Sequence, residues 1–153
     1  EILDLSGNVL ATLPDDLLDR EFEIDHRSLR ATLEHMIANM ETWTDLICER
    51  TVTWRSGSTM PQLLERFSTI SREFAHIART IARENRYDDC FFDTLDVPPQ
   101  RKTFGGAIGH LITHNMHHRA HILFLLEQVG IKDHLEGDLL TWESIAFGWN
   151  RQE

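Results

Sequence analysis

Histidine is the residue type that stands out in this chain, and it stands out by position. Five of the nine histidines fall within the twelve residues from His110 to His121, where an even spread would put fewer than one. On an α-helix at about 100° per residue, with His110 at zero, His114 falls near 40°, His118 near 80°, His121 near 20° and His117 near −20°. All five share one face roughly 100° wide, the width of a core-facing stripe, yet imidazoles occupy it. Neutral imidazoles four residues apart on a helix chelate one divalent ion, and three such pairs overlap here: 110/114, 114/118 and 117/121. The competing reading is a polar, partly solvated face whose histidines hydrogen-bond to neighbours. That reading suits a single pair better than it suits this density.

Two metalloenzyme patterns fail at once. A zinc protease helix needs Glu directly after the first His as general base, and here Leu111, Asn115 and His118 follow His110, His114 and His117. A di-iron bundle needs two Glu-x-x-His motifs, and only Glu73-Phe74-Ala75-His76 is found. A mononuclear site needs a further ligand from another helix. His35 is the best candidate, because Ser28, Ala31, Thr32, Ala38, Asn39 and Thr42 surround it on its face. These small or polar side chains leave room for an ion, its water and a substrate. A core histidine satisfied among small residues is the competing reading for His35.

The elements that must hold these residues read as helices. Residues 25–49 carry Leu29, Leu33, Met36, Ile37, Met40, Trp43 and Ile47 at spacings of three and four, with Ser28 or Asp25 as cap. A second long helix is expected over 61–86 and a third over 105–129, with Gly130 placed to end it. Residues 87–104 hold paired aspartates and two prolines and read as irregular or locally extended. Residues 2–13 suit the last turns of a first helix closed by Pro14, and 138–149 a short terminal helix. The expectation is all-α, a four-helix bundle forming a single domain over 1–153.

Composition bounds the rest. At 153 residues, 41% hydrophobic and 26% charged, the chain suits one globular domain. A net charge of −10 argues against a nucleic-acid partner, whose phosphates need cations. No apolar run approaches the roughly 18 residues that span a bilayer, so no membrane partner is expected. Cys48 and Cys90 suit reduced thiols in a cytoplasmic protein rather than a disulfide framework. Lys102 and Lys132 are the only lysines among 15 basic residues, an arginine bias without evident function in the sequence. Gly105-Gly106 reads as a helix start, since no phosphate-loop Lys follows.

The segment His110–Ile131, HLITHNMHHRAHILFLLEQVGI, resembles the signature helix of the DinB/YfiT-like metalloenzyme superfamily, and LPDDLLDREFEIDHRSLRATLEHMIANMETW resembles its stretch from the end of helix 1 through helix 2. The resemblance implies a bundle of up-down-down-up topology with metal ligands at His35, His114 and His118, followed by Arg119. The chain departs from the family pattern at Ala120 and His121, where Gly and Gln are usual. His121 is then a fourth ligand, a hydrogen-bonding support to the ligands or a polar core residue, the last two together being favoured. Asn39, His110 and Trp43 are the other candidates to line or support the pocket.

The resemblance also implies chemistry. Zn or Ni is the expected ion, with Fe or Mn as alternatives. Some family members transfer or isomerise through low-molecular-weight thiols such as bacillithiol, mycothiol or glutathione, so a metal-dependent thiol S-transferase acting on a small molecule is the first expectation. A metal-dependent hydrolase and a non-catalytic metal-binding stress protein are the alternatives. A homodimer is expected too, from the resemblance and from Trp54, Phe91, Phe92, Trp142 and Trp149, large aromatics near loops and ends.

Overall fold

The computed structural model describes residues 9–132 and 139–148. A helical turn at 9–12 is followed, after Pro14, by the short α1 (Asp15–Leu18). Three long helices follow: α2 (Leu29–Ile47), α3 (Met60–Arg83) and α4 (Phe104–Gln128). Between α3 and α4, β1 (Cys90–Asp93) pairs antiparallel with β2 (Gln100–Thr103), and α5 (Leu139–Phe147) comes last. The chain is mostly helical, as expected, and this small sheet is the exception. None of the described helices is long and apolar enough to cross a membrane.

Local chemistry sets the helix starts. Ser28, in extended conformation, caps α2 by accepting from the Ala31 amide at 3.2 Å, so of the two candidate caps it is Ser28 rather than Asp25 that starts the helix, at the first apolar position of the pattern. Thr103 does the same for α4 through the Gly106 amide at 3.0 Å, which makes Gly105-Gly106 a first helical turn. At the other end, Gly130 adopts φ +92, and the amides of Gly130 and Ile131 bond back to Glu127 and Leu126. This is a Schellman stop, which needs the left-handed backbone that glycine adopts without strain.

Side-chain pairings give the helix directions. Arg30 reaches the Ser58 carbonyl, Arg66 reaches Glu41, and Arg50 reaches Glu73. Residue numbers rise together along both elements, so α2 and α3 run parallel. Parallel neighbours need a long crossover, and residues 48–59 return along the pair. Arginines hold this strap down. The forked guanidinium of Arg66 binds both oxygens of buried Glu41, at 3.1 and 2.8 Å, and also the Gly57 carbonyl at 2.8 Å. Arg30 bonds Asp15, Asp19 and the Ser58 carbonyl, while Arg50 and Arg55 converge on buried Asp45. A lysine ammonium offers no such planar fork, which gives the arginine bias a structural reason.

Leu33, Met36, Ile37, Leu63, Leu111 and Leu125 lie in the main core between the three helices. A second cluster closes one end, where Phe91 of the hairpin stacks on Phe104 and meets Trp43 edge-on. Phe91 is 1% exposed and is therefore core rather than interface, whereas Phe92 and Trp54 stand in solvent. The Trp142 side chain and all of Trp149 lie outside what is described. Glu73 accepts from Arg50 and His76 is exposed, so this Glu-x-x-His pair serves the strap.

Candidate metal centre

Where α2 and α4 cross, antiparallel, the facing positions are polar. Along α2 come His35, Asn39 and Trp43, one turn apart; along α4, in reverse, come His118, His114 and His110. His35 Nε2 lies 3.0 Å from His114 Nε2, and Asn39 Nδ2 lies 2.7 Å from that same nitrogen. Ring centroids stand 5.0 Å apart for His35 and His114, 4.7 Å for His35 and His118, and 4.4 Å for His114 and His118. Trp43 packs on His110 at 5.0 Å, and His110 stands 5.4 Å from His114, so this pair walls the cluster one turn away.

The cluster is electrostatically suited to a cation. Burial first, then the charges of neighbouring imidazoles, pushes His114 and His118 down to about 4 and lowers His35 as well. At neutral pH these rings are uncharged and carry lone pairs. Two imidazole nitrogens 3.0 Å apart either share one proton or both face a cation. For two nitrogens at about 2.1 Å from one ion and at right angles to each other, the separation is also about 3.0 Å. His118 is 4% exposed, and the Nδ1 atoms of His114 and His118 are buried with no hydrogen-bond partner among the described residues. Leaving His118 Nδ1 unsatisfied costs about 1–3 kcal/mol, a cost that an ion bound through that nitrogen offsets, whereas His114 faces His35 through Nε2. The donor set therefore fits a divalent ion of the imidazole-binding kind.

His26 also joins the cluster, although no motif or period in the sequence singles it out. Its ring stacks on His35 with centroids 3.8 Å apart, and its ligand nitrogen lies within 4.8 Å of those of His35 and His118. The loop before α2 makes this possible through strain. His26 and Arg27 adopt φ 58 and 61, the left-handed region that costs a non-glycine residue roughly 1–2 kcal/mol. Phe22 and Arg27 close the loop by a 2.8 Å backbone bond, while Phe22 and Ile24 anchor it to the core. Asp25 bonds the His26 amide and stands 3.5 Å from its Nε2. Strain of this kind collects where a side chain must be aimed.

The His121 ring packs beside its own helix neighbours, 4.4 Å from His117 and 5.4 Å from His118. Arg119, after His118, is 6% exposed. A family profile described as the DinB family matches residues 4–135 of the chain. No curated protein matches it.

Proposed function

Because the chain belongs to the DinB family, we infer that its histidine cluster is a mononuclear divalent-metal site held by His35, His114 and His118, and that the protein is a metal-dependent enzyme. The observation that carries this reading is the 3.0 Å approach of two uncharged imidazole nitrogens from different helices, beside a third, buried imidazole. Three imidazoles leave a coordination position open, the arrangement of catalytic rather than structural sites. A bound Zn or Ni, or else Fe or Mn, supplies Lewis acidity that activates a water or a thiol near neutral pH. The remaining work falls to the chain. Asn39 places its amide 2.7 Å from His114 Nε2, where it orients that ring. Trp43 and His110 give the pocket an aromatic wall for an apolar electrophile.

The reaction class that we favour is S-transfer from a low-molecular-weight thiol, in the reducing cytoplasm that free Cys48 and Cys90 suit. The up-down-down-up bundle accords with parallel α2 and α3. Elemental analysis should find one equivalent of metal in the purified chain and none in His114→Ala. Loaded protein screened with several thiols and a generic electrophile should show metal-dependent loss of thiol. Turnover of ester or amide substrates without thiol points to a hydrolase; metal without any turnover points to a binding protein of the stress response.

A homodimer belongs to the same reading. Ile112, Met116 and Phe124 form an exposed apolar row at four- and eight-residue steps along α4, and contiguous apolar surface marks partner sites. Light scattering should give twice the chain's 17.8 kDa. A mass of one chain, unchanged on concentrating, rules the dimer out.

A further inference from the structure

We propose that α4 carries a second divalent-cation position, built from His117 and His121 and borrowing His118 from the inner cluster, where an incoming ion lands before it moves inward. The ligand nitrogens of His117, His118 and His121 all lie within 4.8 Å of one another. His117 and His121 are one helical turn apart with ring centroids 4.4 Å apart, the spacing at which a helix chelates an ion with two imidazoles. His118 completes the triangle, 4.9 Å from His117 and 5.4 Å from His121.

Burial grades across the three residues. His117 is exposed, His121 half-buried and His118 buried. The position therefore opens to solvent on one side and reaches the inner cluster on the other. Two buried atoms call for a ligand: Nδ1 of His118 and Nδ1 of His121 have no hydrogen-bond partner among the described residues. His118 is more than nine-tenths buried and belongs to both triangles, with His26 and His35 on one side and His117 and His121 on the other.

A neutral imidazole has one lone pair, on Nδ1 or Nε2 according to tautomer. His118 therefore serves one position at a time. With the inner position filled, the outer one keeps only His117, His121 and water, and holds its ion weakly. With the inner position empty, the outer ion takes His118 as third ligand, next to the nitrogens of His35. The transfer step exchanges one ring's ligation between two adjacent sites, and no bond of the chain is made or broken.

The inward move rests on the inner site proposed above, but the outer position does not, and the test separates the two. Calorimetric titration of the metal-free chain with Zn²⁺ should show two ions, the second at least tenfold weaker. In His117→Gln/His121→Gln the weak ion should vanish, the tight one should keep its affinity, and stopped-flow loading of the inner site should slow several-fold. In His35→Gln/His114→Gln the tight ion should vanish and the outer one should tighten, because His118 is released to it. His76→Gln, an exposed histidine elsewhere, should change nothing. Circular dichroism of each variant confirms its fold. A single ion in the wild type, lost in His35→Gln/His114→Gln and untouched in His117→Gln/His121→Gln, overturns the outer position and leaves the inner one standing. One ion retained in His35→Gln/His114→Gln but lost in His117→Gln/His121→Gln supports the outer position and overturns the inner one. Unchanged loading kinetics in His117→Gln/His121→Gln overturns the inward transfer.

Discussion

His26 lies flat on His35, ring planes 24° apart, although nine residues and a strained turn separate them in the chain. The stacking brings the loop before α2 into contact with the first imidazole of that helix. The loop's left-handed backbone is retained because the ring it delivers finds His35 and His118 in place.

This gives the first prediction. Asparagine tolerates left-handed φ better than most residues, so His26→Asn should keep the loop and lose the ring. The metal-free variant should melt within a few degrees of wild type. Metal affinity should fall about 10–100-fold, as when groups around a ligand are removed, read by competition against a chromophoric chelator. Unaltered affinity would make the stack a packing contact only.

Metal removal should destabilise the fold. His35 and His114 come from different helices, so an ion between them cross-links α2 and α4. With free metal about 1,000-fold above its dissociation constant, the stabilisation is about 4 kcal/mol. Chelation should lower the melting temperature by several degrees in wild type and leave His114→Ala unmoved. The experiment fails the site if the wild-type curve is the same with and without metal.

Acid should unfold the chelated protein early. Folding holds His114 and His118 at about 4, below the ordinary histidine value of 6.5, so the unfolded chain binds protons first. The stability at stake is fully present above about pH 6.5 and drains as pH falls toward about 4. The melting temperature should be flat from about pH 7 to 8 and fall between about pH 6.5 and 5, a window above most carboxylate titration. His114→Gln/His118→Gln should flatten that fall. Equal slopes in variant and wild type would place its origin elsewhere.

The strap offers a fourth test. The Glu41 side chain is 5% exposed and its carboxylate is held by both Arg66 donors. Arg66→Ala leaves that charge buried and unpaired, at about 3–5 kcal/mol. Arg66→Lys should recover only part, because an ammonium cannot make the bidentate pair and reach the Gly57 carbonyl as well. Chemical denaturation measures both, and full recovery by lysine would count against the fork.

Much of this was legible because helices write their period into the sequence. The apolar spacing of Leu33, Met36, Ile37 and Met40 located α2 and its buried face, and the histidine face of α4 could be computed from residue numbers alone. His35 emerged from the small residues around it. His26 did not, since two consecutive left-handed residues at 26 and 27 leave no periodic trace and contain no glycine to announce them. The hairpin was half legible, since 87–104 reads as irregular or locally extended but its pairing leaves no mark. Strands of four residues show one and a half alternations, and β1 places its residue types against the rule, with apolar Phe92 outward and Asp93 buried beside Phe91. The parallel course of α2 and α3 depends on Arg66 finding Glu41 across 25 residues, a pairing that no local pattern encodes.

The crossing of α2 and α4 also fixes when the site can exist. His35 and His114 are 79 residues apart in sequence, so neither can find the other until the strap, α3 and the hairpin have been made and α4 has followed. During synthesis the first half of the chain exposes His26 and His35 without partners, and the ribosome releases the other imidazoles last. Closure of so long a loop is entropically costly and is repaid only when the whole helical layer docks. Any fragment that ends before α4 should therefore lack the paired imidazoles, and an ion held between His35 and His114 would report that α2 and α4 have docked.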